Sequence, residues 1–170
     1  MKDVVNLVSN LSFFQNPTDI VPINGGITNV NVSVTDGDKK YVVRIGNDIP
    51  EHGVMRWNEL ALSKAAESLG VSPAVVHFEP GILVLEFIEA QTFKEADVRA
   101  PKNLMRVISL VARTHRGIGK YLNTPILTFW PFQVNQSYML RLESDGSPYI
   151  SKLAESVSYT HLRAHETPAN

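Results

Sequence analysis

The pattern of apolar and polar residues predicts a small antiparallel sheet in the first half of the chain and helices in the second half. Period-two alternation and short apolar runs bounded by turn residues predict strands over 20–23, 30–34, 41–45, 75–78 and 82–88. The residues at 36–39, which include Gly37, predict a hairpin turn between the second and third of these strands. Apolar residues at helical spacing predict helices over 3–14, 51–69, 101–116 and 131–143. The helix over 51–69 interrupts the sheet, so the order of elements indicates an α+β fold.

After the strand that ends at residue 88, the predicted elements are helices and no longer strands. We therefore predict a first domain over 1–88 and the beginning of a helical domain over 89–155. Leu104, Ile108, Val111 and His115 share one side of the helix over 101–116, and on this apolar side we expect His115 to be a core histidine and not a catalyst. An incomplete helical domain would leave apolar surface over 101–153 unburied, which would favour a partner chain.

Composition supports a folded domain and excludes several classes of function. Of the 170 residues, 44% are hydrophobic and 19% are charged, a balance unlike that of disordered chains. The formal net charge of −1 gives no reason to expect a nucleic-acid partner. The absence of cysteine excludes disulfides and thiolate chemistry. No apolar run is long enough to cross a bilayer, so we expect no membrane insertion and a cytoplasmic location.

Glu59 is the first candidate for chemistry. It lies on a stripe with Met55, Leu62 and Ala66 that should face protein, where an unpaired carboxylate is costly. Arg44 is the nearest plausible cation, on the opposite face of its strand from its apolar neighbours. We predict an Arg44–Glu59 pair. A purely structural ion pair, or a Glu59 that reaches solvent, explains the same residues equally well.

Two backbone features could serve a ligand. The turn at 24–29 contains Gly25, Gly26, Thr28 and Asn29, and glycines with free N–H groups favour a close approach of anions. By itself, an ordinary β-turn is the simpler interpretation. The segment 85–89, where the sheet passes into the helices, could leave strand backbone groups unpaired beside a cleft, or be an ordinary linker.

Taken in order, these features resemble the choline/ethanolamine kinase family within the aminoglycoside phosphotransferase superfamily, whose fold is like that of a protein kinase. The resemblance rests on the glycine turn at 23–29, the strand at 41–45, Arg56 with Glu59, and the hinge at 86–88. It covers about residues 1–155. An arginine in place of the kinase lysine is typical of the choline kinase branch. The implied fold is a kinase-like N-terminal lobe plus the first helices of an incomplete C-terminal lobe.

The resemblance implies specific roles. The turn with Gly25, Gly26, Thr28 and Asn29 would cover the phosphates of ATP. Arg44, held by Glu59, would contact those phosphates. Backbone groups at Glu86, Phe87 and Ile88 would meet the adenine edge. The implied reaction is ATP- and Mg²⁺-dependent phosphorylation of a small alcohol, first choline and second ethanolamine. Thiamine or an aminoglycoside as acceptor, a non-catalytic nucleotide-binding or interaction module, and an unrelated α+β domain remain alternatives.

The family also uses a catalytic loop with an Asp base and a downstream Asn that binds Mg²⁺. No His-x-Asp segment with such an Asn occurs in this sequence, so we predict an inactive fragment with its Mg²⁺ ligands missing. Residues 156–168 resemble a translated sequencing adapter, and we expect 156–170 to be a non-native tail without a metal site. The aromatic cluster at 129–132 fits either a core or a face for a quaternary ammonium ion.

Overall fold

The structure, a computed structural model, describes residues 2–23 and 28–155. These residues form two compact units, one that ends at Leu127 and one that begins at Thr128. The strands are β1 (Pro17–Ile23), β2 (Val30–Asp36), β3 (Lys39–Ile45), β4 (Val75–Glu79) and β5 (Ile82–Glu86). The helices are α1 (Lys2–Ser9), α2 (Arg56–Leu69), α3 (Glu95–Arg99), α4 (Pro101–Gly117) and α5 (Pro131–Ser144). The predicted α+β class is confirmed.

The five strands form one antiparallel sheet in the order β1-β2-β3-β5-β4. A tight turn at Gly37, which has a φ of 61°, joins β2 to β3, as the sequence predicts. Strand β5 enters between β3 and β4, where Arg44 lies opposite Leu83. This register brings the end of β5 beside the beginning of β3.

One face of the sheet carries the core of the first unit. Apolar side chains from β2, β3 and β5 alternate onto this face and pack against α1 and the turn after it. The buried set is Val8, Leu11, Phe14, Val32, Val34, Tyr41, Val43, Ile82 and Val84. The alternate residues of β3 and β5 face the other way, towards α2.

Helix α1 is shorter than the predicted helix over 3–14. It ends at Ser9, because the Asn10 side chain donates a hydrogen bond to the Asn6 carbonyl at 2.7 Å and competes with continued helix. Leu11 and Phe14 are nevertheless buried, so the periodicity identified core residues beyond the true helix.

Helix α2 begins at Arg56, so the predicted start at residue 51 is wrong. A short 3₁₀ turn at Pro50–His52 comes first, and Gly53 then adopts a left-handed conformation with a φ of 65°. The Asp48 carboxylate accepts the Arg56 backbone N–H at 2.6 Å and satisfies the first turn of α2. Strand β5 also ends earlier than predicted, at Glu86.

The apolar side of α4 is exposed among the described residues, as expected for apolar surface over 101–153, whereas the core role expected for His115 is wrong. Leu104, Ile108 and Val111 are 44–48% exposed, and His115 is exposed as well. The side of α4 with Asn103 faces the protein instead. Sequence periodicity locates the apolar stripe but carries no information about which neighbour covers it.

The second unit contains α5, which begins at Pro131, the predicted start. Trp130 and Phe132 form a tilted aromatic pair with ring centroids 5.4 Å apart. Phe129 and Trp130 are both exposed, so a core role is wrong for these two rings. Within the described part of the chain, no helix combines the length and apolar character that crossing a lipid bilayer requires.

Candidate functional site

The candidate site lies where β3 meets the first turns of α2. Period-two alternation places Arg44 on the face opposite Val43, towards α2. Asn31 of β2 lies opposite Arg44 in the ladder, and its Oδ1 accepts a hydrogen bond from Arg44 Nε at 3.3 Å. This hydrogen bond orients the Arg44 guanidinium without the help of a ligand.

Arg44 and Glu59 form the predicted ion pair. Arg44 Nη1 donates to Glu59 Oε1 at 2.6 Å. The Glu59 side chain is 19% exposed and that of Arg44 is 33% exposed, so the pair is partly shielded from water. Arg44 Nη2 has no partner among the described residues. Glu59 therefore fixes the position of Arg44 and leaves Arg44 Nη2 available for a ligand.

Arg56, which the sequence places with Glu59 only as part of the family resemblance, adds a second guanidinium to the pair. Its Nη1 donates to Glu59 Oε2 at 2.7 Å, so each carboxylate oxygen binds a different arginine. We call Arg44, Glu59 and Arg56 the arginine–carboxylate triad. The i,i+3 spacing of Arg56 and Glu59 on α2 is the sequence signal that could have revealed it.

The Arg56 side chain is 10% exposed and is bound on all sides. Its Nε donates to the Asn47 carbonyl at 2.9 Å, and its Nη2 donates to the Thr28 carbonyl at 3.3 Å. Gly46 makes this packing possible, because a Cβ at that position would lie 2.7 Å from Arg56 Nη2. Arg56 thus connects α2 to the chain on both sides of the β2–β3 hairpin.

The triad keeps Glu59 ionised. Burial of the Glu59 carboxyl favours its protonated form, but the hydrogen bonds and positive charges of Arg44 and Arg56 outweigh burial and hold the pKa of Glu59 below its ordinary value of 4.5. At neutral pH the triad consists of two cations around one anion, an arrangement that can attract a further anion.

A cleft of about 520 Å³ lies beside Arg56 and Glu59, and Arg44 is not among the described residues that line it. Thr28, Asn29, Arg56 and Glu59 line it together with residues from the loop before α2 and from α2 itself. Two of the predicted turn residues, Thr28 and Asn29, therefore lie at the same cleft as Glu59. Gly25 and Gly26, like the tail at 156–170, lie outside the described residues.

Asn29 shows an unsatisfied polar atom at this cleft. Its Oδ1 is buried and accepts no hydrogen bond from any described residue. A buried acceptor without a donor costs free energy, so the structure leaves an interaction open at this point. An unsatisfied Asn29 amide at a cleft that Arg56 also lines suits a polar ligand better than an apolar one.

The predicted hinge residues lie at the end of β5 and directly after it, and they are not among the described residues that line the cleft. The Glu86 N–H donates to the Ala74 carbonyl and the Phe87 N–H to the Lys40 carbonyl, both at 3.0 Å. The Ile88 N–H has no acceptor among the described residues. Of the backbone donors predicted at the hinge, Ile88 is therefore the one open to a ligand.

The described residues offer no ready metal site: no three His, Asp or Glu side chains converge there. The arginine–carboxylate triad can bind phosphate directly through Arg44, since a guanidinium presents paired donors to phosphate oxygens.

No protein-family model matches the sequence, and no curated protein matches it. Among solved structures, the chain is similar to an ethanolamine kinase from Plasmodium vivax, with a TM-score of 0.57 and 18% sequence identity. The match covers 75% of this chain and 37% of that kinase. The fold is therefore the N-terminal lobe of a kinase-like architecture, an antiparallel sheet with helices, as predicted.

Proposed function

We propose that this chain carries the ATP-binding part of a small-molecule kinase. The observation that supports the proposal is the Arg44–Glu59 pair at 2.6 Å, whose Glu59 lines a cleft together with Thr28 and Asn29. Phosphoryl transfer depends mainly on positioning and on neutralising phosphate charge, so a cation fixed by a carboxylate is a suitable component. Arg44 supplies the cation, and its Nη2 would donate to the phosphates.

Adenine would bind at the hinge. The open Ile88 N–H is the donor proposed for the adenine edge, with Glu86 and Phe87 holding the hinge to the sheet through their own N–H groups. Lys40 Nζ lies 4.1 Å from the centre of the Phe87 ring, and this cation–π contact further fixes the segment.

The proposed acceptor is an amino alcohol, choline or ethanolamine. The motifs at 23–29 and 41–45 support this class, and the Plasmodium neighbour is named as an ethanolamine kinase. Thiamine and aminoglycosides remain alternative acceptors, and a cytoplasmic location stays a prediction. Because the sequence contains no His-x-Asp…Asn segment, we expect the 170-residue chain to bind ATP without phosphorylating any of these alcohols.

The test is ATP binding by the wild-type chain and by Arg44→Gln, measured by isothermal titration calorimetry with Mg²⁺ present. Losing a charge-assisted phosphate contact should weaken ATP binding by about tenfold or more. Arg106→Gln, an exposed change of the same charge on α4, is the matched control and should bind like the wild type. Circular dichroism of each variant establishes that it is folded.

Two outcomes would count against the proposal. One is a folded wild-type chain that does not bind ATP at millimolar concentration, and the other is Arg44→Gln binding ATP as tightly as the wild type. ATP-dependent phosphorylation of choline by the purified chain would contradict the separate expectation that this chain is inactive.

A non-catalytic interaction module is the second candidate function. The exposed apolar stripe of α4, with Leu104, Ile108 and Val111, favours it, because such stripes are usually covered. A chain that fails to bind ATP but forms a stable complex through this stripe, lost in Ile108→Lys, would support this candidate over the kinase.

A further inference from the structure

The two arginines of the triad differ in how many of their nitrogen atoms are engaged. Every guanidinium nitrogen of Arg56 has a described acceptor: Asn47, Glu59 or Thr28. Arg44 uses Nε and Nη1 on Asn31 and Glu59, while its Nη2 has no acceptor among the described residues. Arg56 is also much the less exposed of the two side chains.

We propose that Arg56 is a positioning residue that keeps Arg44 available for phosphate. A carboxylate and a guanidinium alone prefer a bidentate arrangement, in which two N–H groups bind two oxygens. Arg56 occupies Glu59 Oε2, so Glu59 holds Arg44 through Oε1 alone. Without Arg56, Glu59 can turn and bind both terminal nitrogens of Arg44, which removes Nη2 from the ligand.

Arg56 also links the turn that contains Thr28 to the Glu59 carboxylate. Its Nη2 donates to the carbonyl of Thr28, a residue that lines the cleft. A planar guanidinium can reach Glu59, Asn47 and Thr28 at once, whereas an ammonium group is a single point of contact. The inference therefore concerns the arginine geometry and not its charge alone. It rests on the proposed function, since it assumes that Arg44 binds phosphate.

The experiment compares ATP with adenosine, which lacks phosphates, in the wild type, Arg56→Gln, Arg56→Lys and the exposed control Arg106→Gln. In Arg56→Gln, ATP binding should weaken by about tenfold while adenosine binding changes by less than about twofold. Arg56→Lys should show an intermediate loss. A purely structural role would lower the binding of both ligands together and leave the ratio of their dissociation constants unchanged, which would overturn the inference.

A measurement on the wild type covers the case in which Arg56 variants do not fold. Arginine side-chain NMR signals are followed while ATP is added, with assignment from the Arg44→Gln variant and the wild type. The inference predicts a large shift for Arg44 and a much smaller shift for Arg56, whose donors remain on protein acceptors. Equal shifts would make Arg56 a phosphate ligand and overturn its positioning role.

The two proposals fail in different ways. If the wild type binds ATP no more tightly than adenosine, phosphate recognition is absent and the proposed function fails together with the inference. If the wild type prefers ATP and Arg56→Gln keeps that preference in full, the proposed function stands and the role of Arg56 is wrong.

Discussion

Replacing Glu59 with glutamine would test whether the arginine–carboxylate triad stabilises the fold. The substitution keeps the size of the side chain but removes its charge, and it replaces one acceptor oxygen with an amide donor facing a guanidinium. Two short hydrogen bonds, at 2.6 and 2.7 Å, depend on that carboxylate. Glu59→Gln therefore leaves two neighbouring cations without an anion between them.

The expected loss follows from these contacts. A hydrogen bond to a charged group contributes about 1.5–3 kcal/mol, and one of the two is lost outright in Glu59→Gln. Partial exposure of Glu59 and Arg44 lets water compensate part of the remaining charge. We expect the free energy of unfolding to fall by about 2–3 kcal/mol at neutral pH, measured by urea denaturation.

Glu89→Gln is the matched control. Its carboxylate is 86% exposed and lies 4.0 Å from Lys40 Nζ, so its removal should change the free energy of unfolding by less than about 0.5 kcal/mol. If Glu59→Gln and Glu89→Gln lower the free energy of unfolding by the same small amount, the triad makes no net contribution to stability and the reasoning is refuted.

The pH dependence gives an independent test. Because the pKa of folded Glu59 is lowered, its ionised form stabilises the folded state at pH values above its ordinary pKa of 4.5. This contribution is lost as the pH falls below 4.5 through the lower pKa of the folded state. The stability difference between wild type and Glu59→Gln should therefore be constant above that value and shrink below it. A difference that grows on acidification would contradict the assignment.

Two further substitutions test the surroundings of the triad. Gly46→Ala places a Cβ 2.7 Å from Arg56 Nη2 and should lower the free energy of unfolding by about 1–3 kcal/mol. Gly119→Ala, whose Cβ would have no neighbour within 4 Å, is the control and should change the free energy of unfolding little. Equal effects of the two substitutions would argue against close packing at Gly46. Asn58→Ala removes both hydrogen bonds between the Asn58 amide and the Leu127 backbone, so hydrogen exchange of the Leu127 N–H should accelerate by about tenfold, and unchanged exchange would contradict the contact.

The local sequence pattern predicts most of the helices and strands, but few of the residues at which they begin or end. Alternation in β2 and β3 and the turn at Gly37 are strictly local, and both were predicted correctly. The start of α2 was misplaced because it depends on Asp48 accepting the Arg56 N–H and on the left-handed Gly53. The apolar stripe of α4 was identified, but its exposure depends on which elements pack nearby, which no periodicity encodes.

The sequence by itself determined the α+β pattern and placed Arg44 and Glu59 where a pair was one of the predicted outcomes, because strand alternation and helical spacing fix which face each residue occupies. Only the tertiary structure decided that Arg56 takes the second oxygen of Glu59 and reaches the Thr28 carbonyl. The tertiary structure also decided which backbone N–H groups at 86–88 already donate to carbonyl groups of the protein. Such contacts depend on strand register and on how α2 lies across the sheet, and these arise from packing between residues distant in the chain.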